Sequence, residues 1–335
     1  MFLIEARNVN DALPKGLLRL DKLGKEEDSR VGSAIVMDGP VTTIYHKPTE
    51  RVLFNATRDA NPFFHLMESL WMLSGRNDLA WISQFIGGFE RFSDDGRILY
   101  GAYGFRWMNS FQNNGEDHET KNQIDVIIKM LQKNPNTRRA VLQMWSAPLD
   151  LDRSGKDIPC NTHIYFSVSR LGCLDMTVCN RSNDAIWGAY GANVVHMSML
   201  QEYIALSLGL PVGRYWQMSN NFHAYTDVFI KTKVILDEER TPDAYETEEV
   251  SPYPLMSIEK DSWDLELNMF MNEPEAFGFD DKFFRRVAVP MREAWFAWKD
   301  KENPYRIDAA IQTMSNCLAT DWRKAGIEWL ERRRK

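Results

Sequence analysis

The sequence predicts an α/β core followed by a helical extension, and three patterns carry that reading. Short runs of β-branched and aromatic residues alternate with helical periodicities up to about residue 238. Two of the extended runs, Ile164 to Val168 and Cys173 to Cys179, flank Leu171-Gly172 and read as a hairpin. Beyond residue 240 the strand-like runs give way to helical stretches near 280–298, 304–318 and 319–333. The expected division is a core over 1–238 and a helical extension over 239–335 packed on it.

In chain order, residues 1–60 read as mixed, with extended stretches at Ala34-Ile35-Val36-Met37 and Thr42-Thr43-Ile44-Tyr45. Asn61-Pro62 opens a helix, because Asn caps well and Pro suits the first turn. Phe63 to Leu73 is apolar on nearly every face, which predicts a buried helix, and Gly75 ends it. Residues 76–120 are rich in aromatics and in loop signals such as Gly87-Gly88 and Tyr100-Gly101-Ala102-Tyr103-Gly104. Ile124 to Leu131 predicts a helix stopped by Asn134-Pro135-Asn136, and Ala140 to Trp145 a strand. Val194 to Leu208 predicts a helix ending at Gly209, Tyr215 to Phe222 an extended segment, and Thr226 to Glu238 a helix.

Bulk properties narrow the class of function. Forty basic against 47 acidic residues give a net charge of −7, so no basic stripe for nucleic acid is expected. Four cysteines without C-x-x-C spacing point away from a disulfide framework or a metal site and toward a reducing compartment. The first residues lack the apolar core of a signal peptide, and no apolar run reaches the ~18 residues of a membrane span. A soluble cytoplasmic protein is expected.

The chemistry-bearing residues gather around Cys160. It stands in Asp157-Ile158-Pro159-Cys160 before an alternating run, and Arg181-Ser182-Asn183-Asp184 follows after the hairpin. A lone cysteine usually packs as a small hydrophobe. A guanidinium returning on the paired strand changes that reading, because it can hold the thiol as a thiolate nucleophile. Arg138-Arg139 before a strand, with Arg181 and Ser182, can cradle a phosphate, although adjacent arginines also suit a solvated face. Glu68 lies inside the apolar helix and must be paired, protonated or functional. His223 and Tyr225 share a strand face and suit hydrogen bonding to a sugar hydroxyl, or a structural role.

Taken in order, Glu68-Ser69-Leu70-Trp71 with Gly75, Tyr103-Gly104-Phe105-Arg106-Trp107, Arg138-Arg139, Pro159-Cys160, Arg181-Ser182 with Asp184, Asn193 and His223-Ala224-Tyr225 resemble the thymidylate synthase family. That family includes the pyrimidine nucleotide hydroxymethylases, some of which viruses use to modify their DNA. The resemblance runs from about residue 30 to 238. It implies a large mixed sheet packed by helices, a nucleotide monophosphate substrate, 5,10-methylenetetrahydrofolate as co-substrate and no metal. Cys160 is implied to attack carbon 6 of the pyrimidine, with Arg181 stabilising the thiolate and, with Ser182, contacting phosphate. Arg138 and Arg139 are implied to reach the partner's phosphate in a homodimer, and Arg30 to be a further phosphate ligand. Glu68 is implied to organise water for proton transfer, and Tyr103 to assist removal of the carbon 5 proton. Asp184 is implied to hold the pterin ring, and His223 and Tyr225 the 3′-hydroxyl.

Departures from the family pattern point to a 5-hydroxymethyl product, finished by water, ahead of the methyl product of a synthase proper. Synthases close their site with a short apolar tail, whereas this chain has Arg332-Arg333-Arg334-Lys335 after a long helical stretch. Asn161 stands where the family has His, and Phe89 where it has a Trp over base and folate. Asn193 offers an amide that matches uracil, placing dUMP ahead of dCMP. One residue more than the synthase pattern precedes it. Cytidylate hydroxymethylases of nucleoside-antibiotic pathways resemble the chain in length but differ at the positions of Arg139 and Ser182. A catalytically inactive nucleotide-binding homologue is the alternative of another class.

Overall fold

The computed structural model describes residues 1–29, 32–109, 122–238, 242–273 and 278–334. Arg30 lies outside the described residues. Strand β1 (Phe2–Ala6) leads to helix α1 (Val9–Leu23), whose cap Asn8 accepts from the backbone of Asn10 and Asp11. The sequence reading missed α1. Its interior Pro14 reads as a breaker, and its apolar face Leu13, Leu17 and Leu20 is explained only by what it covers.

Strands β2 (Lys25–Ser29), β3 (Gly32–Val36) and β4 (Val41–Tyr45) precede the central helix α2 (Pro62–Leu73). Asn61 caps α2 by accepting from Phe64 N, and all twelve helical residues are buried, as the apolar run predicted. Gly75 takes φ +69° just past its end, a conformation in which a side chain is strained. Helices α3 (Leu79–Ile82), α4 (Tyr103–Met108) and α5 (Gln123–Lys133) follow, with a 3₁₀ turn at Phe89–Phe92. Then come β5 (Val141–Gln143), α6 (Ala147–Asp150), β6 (Asn161–Val168), β7 (Leu174–Asn180) and β8 (Asn183–Asp184). A π-helical segment, Ala185–Ala192, runs into α7 (Asn193–Ser207), followed by β9 (Val212–Ser219), β10 (Phe222–Tyr225) and α8 (Thr226–Thr232).

Six strands form a mixed sheet in the order β1-β4-β9-β7-β6-β5, and four form a second sheet in the order β2-β3-β10-β8. The register aligns Ile4, Thr43, Gln217, Val178, Ile164 and Leu142 in one row across the large sheet, all buried. The neighbouring row, Glu5, Ile44, Trp216, Thr177, Tyr165 and Val141, points to the other face, and none of its members is buried. Helices thus cover one face of the large sheet and leave the other open in this chain. This α/β architecture is the one the sequence predicted.

After residue 241 come α9 (Lys260–Asn272), α10 (Val289–Lys299), α11 (Arg306–Met314) and α12 (Thr320–Glu331). Helix α9 was not anticipated: its buried residues Trp263, Leu267, Phe270 and Met271 form a stripe interrupted by acids. Trp295 of α10 and Trp329 of α12 meet Phe63 of α2 at ring separations of 5.9 and 5.6 Å. Trp295 Nε1 also donates to the Gln84 carbonyl at 2.8 Å. The C-terminal helices therefore complete the burial of α2.

Candidate active site

Cys160 sits one residue before β6, directly across from Arg181, which follows β7. The Arg181 backbone N–H donates to the Cys160 carbonyl at 2.9 Å. Its side chain binds the same loop: Nε donates to Pro159 O at 2.9 Å and Nη2 to Ile158 O at 3.0 Å. Nη2 also stands 3.8 Å from Cys160 Sγ. The hairpin expected from sequence thus brings thiol and cation together, and two backbone carbonyls lock the cation in place.

Tyr103, the first residue of α4, lies beside Asn161 and within electrostatic reach of Cys160. Burial, and secondarily the Cys160 thiol, push its hydroxyl above the ordinary tyrosine range, so it remains a neutral phenol. Asn161 is 1% exposed, and beyond the neighbouring Tyr103 hydroxyl its amide meets no other hydrogen-bond partner among the described residues. A buried amide with this much capacity to spare can take a group that donates or accepts. Asp157, which the sequence reading passed over, ties the two loops by accepting from Gly101 N at 2.7 Å, and burial raises its pKa.

Glu68 projects from α2 and is 6% exposed; its Oε2 lies 2.8 Å from Nε2 of His196 on α7. His196 is 2% exposed, and its Nδ1 has no partner among the described residues. Sequence reasoning missed His196. The available signal was a lone imidazole in an apolar helix three residues beyond Asn193. Helices α2 and α4 press together one turn beyond Glu68, where a Cβ on Gly104 would fall 1.9 Å from Met72 O. Glu68 and Tyr103 therefore belong to one packed unit.

Asp184 caps the π segment: its Oδ1 accepts from the backbone N–H groups of Ile186 and Trp187 at 2.8 and 2.6 Å. Its Oδ2 is buried without a partner among the described residues. Burial raises its pKa, with His223 and Arg58 opposing. His223 pairs with Asp184 in register, its ring meets Tyr225 edge-on at 5.5 Å, and its Nδ1 is buried without a partner among the described residues. Ser182 is half-buried between Arg181 and Asn183. Asn193 Nδ2 donates to Asn183 Oδ1 at 3.0 Å, and Asn183 in turn donates to Ser219 Oγ and Gln217 Oε1. The π turn that leads into Asn193 is broken by non-helical Tyr190 and Gly191.

Beside this wall, Arg58 donates to Ile186 O at 2.9 Å and lies 4.4 Å over the Trp187 ring, and burial lowers its guanidinium to about 10. The next residue, Asp59, binds Arg332 at 2.9 Å and Arg333 at 2.7 Å. Phe89 packs edge-on against Phe64 of α2 and against Phe92 at 5.5 and 5.6 Å. Arg138 and Arg139 do not join Cys160 within the chain. Both are exposed at the opposite end of the β5–β6 ladder, about 20 Å away at ~3.3 Å per residue. The single-chain phosphate cradle of three arginines is therefore not formed. Among the described residues no group of three or more His, Cys, Asp or Glu is placed to hold a metal ion. No described helix is long and apolar enough to cross a membrane.

The profile of the thymidylate synthase family matches residues 24–269. The chain belongs to that family. It is 51% identical to the deoxyuridylate hydroxymethyltransferase of Pseudomonas phage M6, over 100% of this chain and 95% of that protein. It is 34% identical to the deoxyuridylate hydroxymethyltransferase of Bacillus phage SP01 over 73% of this chain and 66% of that one. Thymidylate synthase of Symbiobacterium thermophilum is 28% identical over 70% of this chain and 74% of its own length. The protein is thus a folate-dependent enzyme of the pyrimidine nucleotide hydroxymethyl- or methyltransferase type. Methylenetetrahydrofolate is the family's co-substrate.

Proposed function

We propose that the enzyme places a hydroxymethyl group on carbon 5 of dUMP, through a covalent Cys160 adduct completed by water. The observation that carries the reading is the Cys160 thiol held 3.8 Å from an Arg181 guanidinium that is itself fixed to the thiol's loop. A cation so placed keeps a thiolate ready. Cys160 then attacks carbon 6, and the electrons of the 5,6 double bond move onto the 4-carbonyl, leaving carbon 5 nucleophilic. Methylenetetrahydrofolate supplies the one-carbon unit when bound. Tyr103, a neutral phenol, holds the water that removes the carbon 5 proton, and Asn161 and Glu68 order water for the finishing step.

The orphaned polar atoms support the binding roles. Asp184 Oδ2, a buried free acceptor, fits an N–H edge of a pterin, and His223 Nδ1, near Tyr225, fits the 3′-hydroxyl of the sugar. The Asn193 amide, anchored on Asn183, can pair with a uracil edge that both donates and accepts. Phe89 lines the folate side. The phage M6 protein, similar over the whole chain, carries deoxyuridylate hydroxymethylation in its name.

The open sheet face with Ile44, Trp216, Tyr165 and Val141 supports a homodimer through that face, since large sheets seldom leave such residues to water. Arg138 and Arg139 then reach across the dimer to a phosphate that the site's own chain binds with Arg181, Ser182 and Arg30. We further assign residues 1–238 as the catalytic core and 239–335 as an extension that buttresses α2.

The test is incubation with dUMP or dCMP and methylenetetrahydrofolate, with mass analysis of the nucleotide. A 5-hydroxymethyl-dUMP product is expected. A methyl product with dihydrofolate would make the enzyme a synthase, product from dCMP alone would reverse the base assignment, and no turnover would leave a nucleotide-binding protein.

A further inference from the structure

Glu68 and His196 stand 128 positions apart in the chain yet meet at 2.8 Å, both buried. A histidine that merely braces a fold satisfies both ring nitrogens. His196 does not: one nitrogen meets Glu68, and Nδ1 has no partner among the described residues. That orphan favours the tautomer with its proton on Nε2, because a neutral acceptor is less costly to leave unpaired than the N–H of an imidazolium. The imidazole therefore donates to Glu68 Oε2 and fixes the plane of the carboxylate. The nearby titratable group on α2, His65, is held neutral by burial, with the Arg58 guanidinium adding to the effect, and so supplies no competing cation.

We propose that His196 is a positioning residue that holds Glu68 as a carboxylate turned toward the nucleotide, so that Glu68 takes the proton of the finishing water; this rests on the water-finished reaction proposed above. After the folate has left, an exocyclic methylene remains on carbon 5. The water oxygen bonds to that carbon while its proton passes to Glu68 Oε1, and the π electrons move through carbon 5 to the 4-carbonyl oxygen. When the 4-carbonyl re-forms, the 5,6 double bond closes and the carbon 6–sulfur bond breaks, releasing the Cys160 thiolate. Glu68 returns its proton to solvent. No oxidation or reduction occurs in this sequence.

The experiment compares wild type, His196→Ala and His196→Gln as full chains with dUMP and methylenetetrahydrofolate, reading kcat, nucleotide KM, product mass and melting temperature. For His196→Ala, kcat is expected to fall about 10- to 100-fold with nucleotide KM within about twofold, the scale set by losing a partner that orients a reacting group. His196→Gln, which retains an N–H for Glu68, should recover to within about fivefold of wild type. An unchanged kcat in the Ala variant would overturn the proposal. So would a Gln variant as slow as Ala whose loss follows its melting temperature. A methyl product from the wild type overturns the reaction assignment itself, and the water-activating role with it, before any variant is compared.

Discussion

Arg181 grips the backbone on either side of the Pro159 peptide while its Nη2 faces the Cys160 sulfur. One side chain therefore both supplies the positive charge and fixes the position of the Cys160 thiol. Lysine keeps the charge but lacks the fork that reaches two carbonyls. Arg181→Lys should lower kcat by about 10²-fold, the scale of losing a fixed electrostatic partner at a reacting centre. Thiol alkylation rate against pH checks the cause, since the Cys160 titration should move to higher pH.

The α2–α4 contact tolerates no side chain at Gly104, because its Cβ would meet backbone atoms of Met72 that cannot swing aside. Gly104→Ala should destabilise the protein by at least ~2 kcal/mol. Denaturant unfolding is the measurement, and a change under ~0.5 kcal/mol, the size of an ordinary surface substitution, would contradict this account.

Asp321, 1% exposed at the start of α12, has its carboxyl raised to about 6 by burial, even though Tyr245 donates to it at 2.9 Å. The folded state keeps this proton up to about pH 6, whereas the unfolded chain gives it up near pH ~4. Stability from this group is therefore greatest at low pH and falls as pH rises from about 4 to 6, by up to ~3 kcal/mol. Asp321→Asn should flatten that part of the stability–pH curve, as thermal melts across the window will show.

If Arg138 and Arg139 serve the partner's site, subunits defective in different elements should complement. Cys160→Ala and the double variant Arg138→Ala, Arg139→Ala are each expected to be nearly inactive alone. Mixed one to one with subunit exchange, they should regain about a quarter of wild-type activity, because half of the dimers then hold one intact site of two. No recovery in a mixture shown to exchange would sink the shared-site arrangement.

Much of the site was legible because its signals are local. Pro159-Cys160, the Leu171-Gly172 turn and the returning Arg181 fall within a single hairpin, so register alone brings thiol and guanidinium opposite each other. The capped, wholly apolar run after Asn61 likewise announced a buried helix with Glu68 inside it. Helices α1 and α9 escaped notice because Pro14 and scattered acids disguise stripes that make sense only against their neighbours.

The sequence by itself determined the pairing of the Cys160 thiol with its cation, the buried acid and the α/β order of elements, since caps, turns and periodicity are set within a few residues. Tertiary structure alone decided that Glu68 meets His196 and that Arg138 and Arg139 lie far from their own Cys160. It also decided that Asp184 Oδ2 and His223 Nδ1 stay without a partner among the described residues. Those facts depend on sheet register and on helices from distant parts of the chain packing against each other, and no short window of sequence encodes them.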